Sequence, residues 1–525
     1  MRARPWALPL VIAAAAGCGA GGDGACTPGD TVSCYDGPPG TAGVGACLRG
    51  HSACLADGSG YGPCEGEVLP SVERCDTLFN ESCDGLKTCS GLVRWAEAFG
   101  DVQAQSIGVA AALGADGVIV AGQVEGTLGL GHHVALDASP GQAAFLAAFD
   151  GEGRPVWARL LGVPEGATTV SSVSAGADGG VLAAGWFTGA TDLGRSRVEG
   201  ASDGSADAFL LALDRRGDVR WQKVLGGPGD QRAWISPPDA AGRRVLTAIY
   251  TGTLDLGTAV LHSAFADPTT PDLAVVRLDA AADVIWANSA TGGFQPLLTE
   301  GYVTPAPAVA ALDGTVFVAA GVAGPFEIGG SSAQLASTQG ATLAAAFDPH
   351  GQFLWSQVFS SAADGGIHVP GSVAAGPDGN LWLMTGLTRP NVWPLPTPGL
   401  VDGVTATELT TGGVELWHTL QMSGTGGDAV LDGAGNLVFA TTDLSNLPVP
   451  MGLTVRKMLP SSGAVLWSYD LGAGADTRLA VDATGGVRMA GTFTGTVTVG
   501  ATSLTSTVAV PGSMDPDILL AATSP

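Results

Sequence analysis

The chain has 525 residues, 46% of them hydrophobic and 14% charged, a composition that excludes intrinsic disorder and allows several domains or one large repeat domain. Lys and Arg total 23 against 49 Asp and Glu, a formal net charge of −26, so the surface repels phosphate backbones and nucleic acid is excluded as a partner. Eighty glycines point to many tight turns.

The first residues, "MRARPWALPLVIAAAAGC", set two arginines before an apolar run that is too short to span a bilayer and suits a signal-peptide core. The run ends in Ala15-Ala16-Gly17-Cys18. Small residues directly before a Cys resemble the bacterial lipobox, although Ala15 stands where that motif usually has Leu. The resemblance implies a signal peptide over 1–17, cleavage before Cys18, and a lipid on the Cys18 thiol. Residues 19–25, rich in Gly, then form a flexible tether. A lipid anchor to the bacterial outer membrane, on its periplasmic or surface side, is the expected membrane attachment.

Beyond Cys18 the cysteines are Cys26, Cys34, Cys47, Cys54, Cys64, Cys75, Cys83 and Cys89, and none follows. An even, dense cluster in an exported chain predicts a disulfide-rich module over 26–89 with up to four bridges, its connectivity left open. The segment "ERCDTLFNESCDG" gathers Glu73, Asp76, Asn80, Glu81 and Asp84, hard oxygen ligands suited to Ca²⁺. A solvated acidic loop held by disulfides is the alternative reading. No other cofactor is expected.

From residue 90 to 525 one pattern repeats. "FLAAFDGEGRPVWARLLG", "FLLALDRRGDVRWQKVLGG" and "LAAAFDPHGQFLWSQVF" each read as two strands and a turn, with Trp at one register. The register holds at Trp95, Trp157, Trp221, Trp286, Trp355, Trp417 and Trp467, a spacing that points to a propeller or solenoid. Each unit carries four short strands without helical periodicity, the sequence form of a β-propeller. The expected fold is all-β: a seven-bladed β-propeller behind a small disulfide-rich module. The seven Trp are expected to fill the gap to the adjacent blade. "GLVRWAEAFG" supplies a fourth strand without its first three, and "DPDILLAATSP" a third without its fourth, so the two ends should complete one blade.

"CYDGPPGTAGVGACLRGHSAC" and "ERCDTLFNESCDG" followed by "VRWAEAFGD" resemble myxobacterial exported lipoproteins, in which a Cys-rich segment labelled as metal-binding precedes bacterial propeller repeats. Phe79, Asn80 and Ser82 replace acidic residues of that motif. "MLPSSGAVLWSYDLG" and "ELTTGGVELW" are similar to the Trp-docking repeats of quinoprotein dehydrogenases and of the propeller lipoprotein of outer-membrane protein assembly. That similarity implies a Ca²⁺-bound quinone, often beside a vicinal Cys pair; this propeller has no Cys and counts seven blades where those rings usually have eight.

No metal-binding His spacing, nucleophile elbow or phosphate-binding Gly loop occurs. His132-His133 sits in the loop "LGLGHHVAL" and reads as solvated; adjacent side chains of an extended chain point apart, which argues against a shared metal. Residues 292–307, 388–399 (with Trp393) and 445–452 depart from the repeat and mark either a binding rim or tolerated loop variation. Three functions stay open: a non-catalytic envelope protein that binds a protein or glycan or acts as a scaffold, a quinone-dependent dehydrogenase or hydrolase working in the axial pocket, and a structural spacer without specific ligand. Oligomeric state is not legible.

Overall fold

The repeated turn shows how the sequence sets local structure. In "LDRRGDVRW" the Asp214 amide donates to the Asp218 carbonyl at 2.9 Å, and Asp214 Oδ1 accepts from the amides of Arg216 and Asp218 at 2.8 and 3.0 Å. Gly217 takes φ 80°, a left-handed conformation that a side chain disfavours. The turn therefore closes on one extra residue, and the strand register shifts between Ala212 and Leu213.

The computed structural model describes residues 26–71, 80, 83 and 91–524, apart from 102, 104, 115–116, 202, 266–269, 295–305, 312, 334–340, 360–366, 377, 389–402, 423–427, 433, 444–451, 460–463, 474–476, 483–484 and 508–515. The chain divides into two compact units, Met1–Thr88 and Cys89–Pro525. In the first, Thr31–Cys34 pairs with Gly50–Ala53. Disulfides join Cys26 to Cys54, Cys34 to Cys64 and Cys47 to Cys83. Leu48, Leu55, Tyr61 and Leu69 stay exposed, so this unit buries little apolar surface. Closing loops of about 30 residues stabilises such a unit by roughly 3–4 kcal/mol per bridge.

The second unit is a seven-bladed β-propeller, with seven four-stranded antiparallel sheets and no helix among its described residues. Blades are numbered from the sheet that begins with Gln105–Leu113. Blade two, for example, is Ala167–Ala175, Val181–Thr188, Asp207–Leu213 and Val219–Leu225. The first strands of successive blades touch one another, except that the first strand of blade four meets the second strand of blade three, and that of blade seven touches that of blade one, so the ring is closed. Third strands such as Asp207–Leu213, Asp272–Leu278 and Ala341–Phe347 are buried along their whole length, because both faces meet a neighbouring blade. This explains why they read as unbroken apolar runs rather than alternating ones.

Blade seven joins Val93–Phe99 to Asp517–Thr523, pairing Phe99 with Ile518 and Trp95 with Ala522. The register shift lies between Val93 and Trp95, at the place it occupies in the covalent hairpins, and the Ser524 amide donates to the Leu92 carbonyl at 2.8 Å. The two chain ends thus reproduce a hairpin without a turn.

Trp95, Trp157, Trp286 and Trp355, each on a fourth strand, reach the turn of the next blade. A β-carbon added at Gly217 would lie 2.5 Å from the Trp157 ring; at Gly153 it would lie 2.8 Å from Trp95, at Gly351 2.8 Å from Trp286, and at Gly413 2.7 Å from Trp355. Trp95, Trp286 and Trp355 also donate Nε1 to the carbonyls of Gly151, Pro349 and Thr411 in those turns. At the closure Gly91 takes the same place, 2.7 Å from Trp467 by the same construction. Only blade three differs among the described turns: Ala282 occupies it at φ 63°, buried in the cluster against which Trp221 packs. The corresponding turn beside Trp417, residues 460–463, lies outside the described residues.

Gly217→Ala should therefore lose about 1–2 kcal/mol for the left-handed backbone and a further 1–3 kcal/mol for overpacking against Trp157. Ala282→Gly relieves the same backbone strain and should leave the melting temperature unchanged or raised. Equal shifts for the two variants in thermal denaturation would remove the ring contact from this account.

Candidate functional site

The ring has two ends. The turns between first and second and between third and fourth strands lie at one end; the loops between second and third strands, and those that lead to the next blade, lie at the other. At the loop end, among the described residues, four blades carry a small extra hairpin: Ala190–Glu199 in blade two, Thr253–His262 in blade three, Phe326–Ala333 in blade four and Thr496–Thr505 in blade seven. Three of these hairpins are clipped by an Asp that opens the third strand. Asp207 accepts from the Ala201 amide at 2.6 Å and the Gly227 amide at 3.4 Å. Asp272 accepts from Ala264 and Gly292 at 2.7 and 2.8 Å, and Asp517 from Thr507 at 2.6 Å. The glycine after the fourth strand makes room, since a β-carbon at Gly226 or Gly100 would strike the clipping carboxylate.

Beside the first of these clips lies an open cleft of about 450 Å³, lined by Glu199, Asp203, Asp207, Asp255 and the loop from Gly226 to Pro228. Burial pushes the Asp207 carboxyl above its ordinary value, and the negative charges of Asp203 and Asp230 push the same way. Among the described residues no group of three or more His, Cys, Asp and Glu side chains is arranged to hold a metal ion.

At the turn end three blades bury an ion pair. Lys457 meets Asp432 at 2.8 Å with both side chains under 5% exposed, Arg488 meets Asp482, and Arg277 meets Asp239. Burial alone would raise the Asp432 carboxyl, but hydrogen bonds from Lys457 and Asn436 outweigh it and hold the group below its ordinary value.

Nearer the axis, Trp186 and Trp234 pack at 5.7 Å, and the Arg232 guanidinium lies 5.5 Å from the Trp186 ring and 3.1 Å from Asp230. His132 and His133 lie in the exposed loop expected from the sequence, where φ of 48° and 66° makes them the two-residue turn between Gly117–Gly131 and Val134–Phe149 rather than extended backbone. A primed turn matches the strand twist and needs positive φ at both positions.

Of the other residues singled out in the sequence, Cys18, Glu73, Cys75, Asp76, Glu81, Asp84, Cys89 and Trp393 lie outside the described residues. Asn80 is described: its Oδ1 accepts from the Cys83 amide at 2.5 Å, and its carbonyl accepts from Ala46 at 2.8 Å. Sequence reading missed the Gly that precedes each of six Trp by four residues (Gly91, Gly153, Gly217, Gly351, Gly413 and Gly463), although the spacing was present. It also missed the clipping Asp, which recurs at the head of the runs "DAFLLAL", "DLAVVRL" and "DILLAAT".

No family model matches the chain, and no curated protein matches it. Solved structures similar to it are all remote. An ulvan lyase of a polysaccharide lyase family, bound to an ulvan fragment, is 10% identical over 75% of this chain and 93% of its own, with a TM-score of 0.42. The Dos1 propeller is 8% identical over 84% and 97%, TM-score 0.38. A quinohemoprotein alcohol dehydrogenase from Comamonas testosteroni is 12% identical over 83% and 76%, TM-score 0.35.

Lys457→Met leaves Asp432 buried with its cation gone and should cost about 3–5 kcal/mol at neutral pH, while Lys457→Met combined with Asp432→Leu should recover most of it. Because the folded Asp432 carboxyl is lowered, its contribution is complete above the ordinary carboxylate range and is lost as pH falls through the folded value. The gap between wild type and the single variant in denaturant melts should be largest at neutral pH and shrink as pH falls, beginning above the ordinary carboxylate range, because burial without Lys457 raises the Asp432 carboxyl of the variant. A gap that widens in acid would contradict this pairing.

Proposed function

We propose that this protein is a non-catalytic, exported lipoprotein of the cell envelope, anchored to the outer membrane through Cys18, whose propeller binds an envelope protein or glycan. The disulfides in the first unit belong to an oxidising compartment outside the cytoplasm. The observation that carries the non-catalytic reading concerns the buried carboxylates, the first candidates for acid–base work. Among the described residues these are Asp207, Asp272, Asp432, Asp482 and Asp517, and each is held in a loop clip or an ion pair that recurs in other blades. The shifts of Asp207 and Asp517 come first from burial in their clips, and that of Asp432 from its contacts with Lys457 and Asn436 outweighing burial. Surface loops around a rigid ring then supply binding, as on other propellers.

The experiment has two arms. Radiolabelled palmitate should enter wild type and not Cys18→Ala, and detergent-solubilised protein should capture a saturable ligand from envelope fractions. Assays with quinone, Ca²⁺ and an electron acceptor, and with ester and glycoside substrates, should be blank. Turnover that survives purification and disappears on substituting one axial carboxylate would replace this reading with an enzymatic one.

A further inference from the structure

The four small hairpins of the loop end serve as controls for one another. In three of them the glycine at the tip rests on the wall of its own blade. A β-carbon added at Gly194 would lie 3.1 Å from Val219, one at Gly500 2.7 Å from Val93, and one at Gly329 would strike Phe353. Each of these wall residues stands two positions before its blade's Trp. Val284 holds that position in blade three, yet a β-carbon at Gly257 would meet nothing within 4 Å.

The tip of this one hairpin therefore stands off the wall. The space it leaves is a cleft of about 290 Å³, lined by Leu256, Gly257 and Thr258 of the tip and by Val224, Leu225 and Val284 of two fourth strands. Its walls are mainly aliphatic. The cation at its edge, Lys223, is already engaged: Nζ lies 3.4 Å from Asp283, donates to the Ala282 carbonyl at 3.3 Å and sits 5.2 Å from the centre of the Trp221 ring. Lys223 and Asp283 together bring no net charge to this cleft.

The acidic cleft described above continues from it. Val224, 37% exposed, lines both, and Asp255 and Leu256, neighbours in the chain, line one each. Glu199, Asp203, Asp207 and Asp255 line the second cleft, and no Lys or Arg does. Among the described residues only Glu199 of these four has a cationic partner, Arg197 at 2.8 Å. Arg232 is held by Asp230 at 3.1 Å. Asp203, Asp207 and Asp255 accept from loop amides, and Asp203 also from the Ser205 hydroxyl, so their charges stay uncompensated. Burial first, and then the negative charges of Asp203 and Asp230, push the Asp207 carboxyl upward, as expected where positive charge is missing.

We propose that this groove, apolar at one end and acidic at the other, docks an extended peptide segment of a partner protein in which a large apolar side chain stands beside basic residues. This rests on the binding reading above and selects protein over glycan. The first cleft lies at the small end of ligand sites, which run to about 300–1,000 Å³, and suits a single side chain. Three carboxylates without a cation, next to it, attract basic residues. They repel an anionic glycan or an acidic segment, which would sit well within the Debye length of about 10 Å. A neutral glycan would bring hydroxyl groups against aliphatic walls that cannot bond them.

The test is fluorescence anisotropy of the full chain in mild detergent with a labelled peptide of alternating Leu and Lys. Comparators of the same length carry Ser in place of every Leu, or Glu in place of every Lys. The Leu–Lys peptide should bind saturably and weaken as salt rises, the Ser–Lys peptide should bind about tenfold or more weakly, and the Leu–Glu peptide should not bind. Thr258→Phe, at an exposed position on the rim, should fill the cleft and weaken binding by about tenfold while the melting temperature stays unchanged. Asp203→Asn with Asp255→Asn keeps the acceptor of each turn and should weaken binding while flattening its salt dependence. Absence of binding, equal binding of the Leu–Lys and Ser–Lys peptides, or undiminished binding by either variant would overturn the proposal. Envelope capture with Thr258→Phe separates the two readings. A ligand held equally by variant and wild type removes this groove and leaves the binding function standing; no ligand with either protein removes the binding function itself.

Discussion

A tryptophan ring laid against the glycine of the next blade is the contact on which the rest of the propeller depends. Four-stranded sheets cannot bury both faces alone, and something must fix the distance and rotation between neighbours. Here the glycine does two things at once. It gives the turn its positive φ, and by lacking a β-carbon it lets the ring approach; for Trp95, Trp286 and Trp355 the indole N–H also bonds a carbonyl in the same turn. Gly91 shows that the second task is the stronger constraint, because it keeps its place before Trp95 where no turn exists. The tryptophans tie the outer edges in a circle while the first strands meet at the axis, and the shared blade seven closes both.

With the ring fixed in this way, the two ends of the molecule are free to differ. The loop end grows hairpins, and each clipping Asp turns an added hairpin into an ordered one by satisfying amides from two loops. The turn end buries charge instead. The pairs Asp239–Arg277, Asp432–Lys457 and Asp482–Arg488 are reached from different strands, so the turn Asp is the common element and the cation is supplied wherever space allows. Arg244 belongs to the same end but fits neither pattern, since its principal hydrogen bond goes to a neutral Ser174 in the adjacent blade.

The architecture was legible in the sequence because its signals are local and repeated: the Trp register, the turn residues, and two terminal strands that complement each other. "VRWAEAF" and "DILLAAT" could be paired across more than 400 residues since every internal hairpin had already shown the pairing. The candidate sites were not legible, for a different reason in each case. Asp207 and Asp203 gather with Glu199 and Asp255 only after a hairpin folds over the loop at Gly226. Arg220 and Arg244 lie 24 positions apart and meet through Asp178 and the order of the blades. His132-His133 was legible as a loop, but its positive-φ turn backbone was not. The glycine before each Trp was visible at fixed spacing, but its purpose lies in the neighbouring unit.

The most direct test of the account is the melting temperature of a chain lacking residues 516–525, compared with the full chain under the same conditions. The deletion removes the ladder to Val93–Phe99 and the buried run from Ile518 to Ala522, so the ring should open at blade seven. Loss of several hydrogen bonds and of that apolar burial predicts a melting temperature lower by about 10 °C or more, with aggregation from the exposed edges. A truncated protein that melts with the full chain and stays monomeric would show that the ring does not depend on its closing strand.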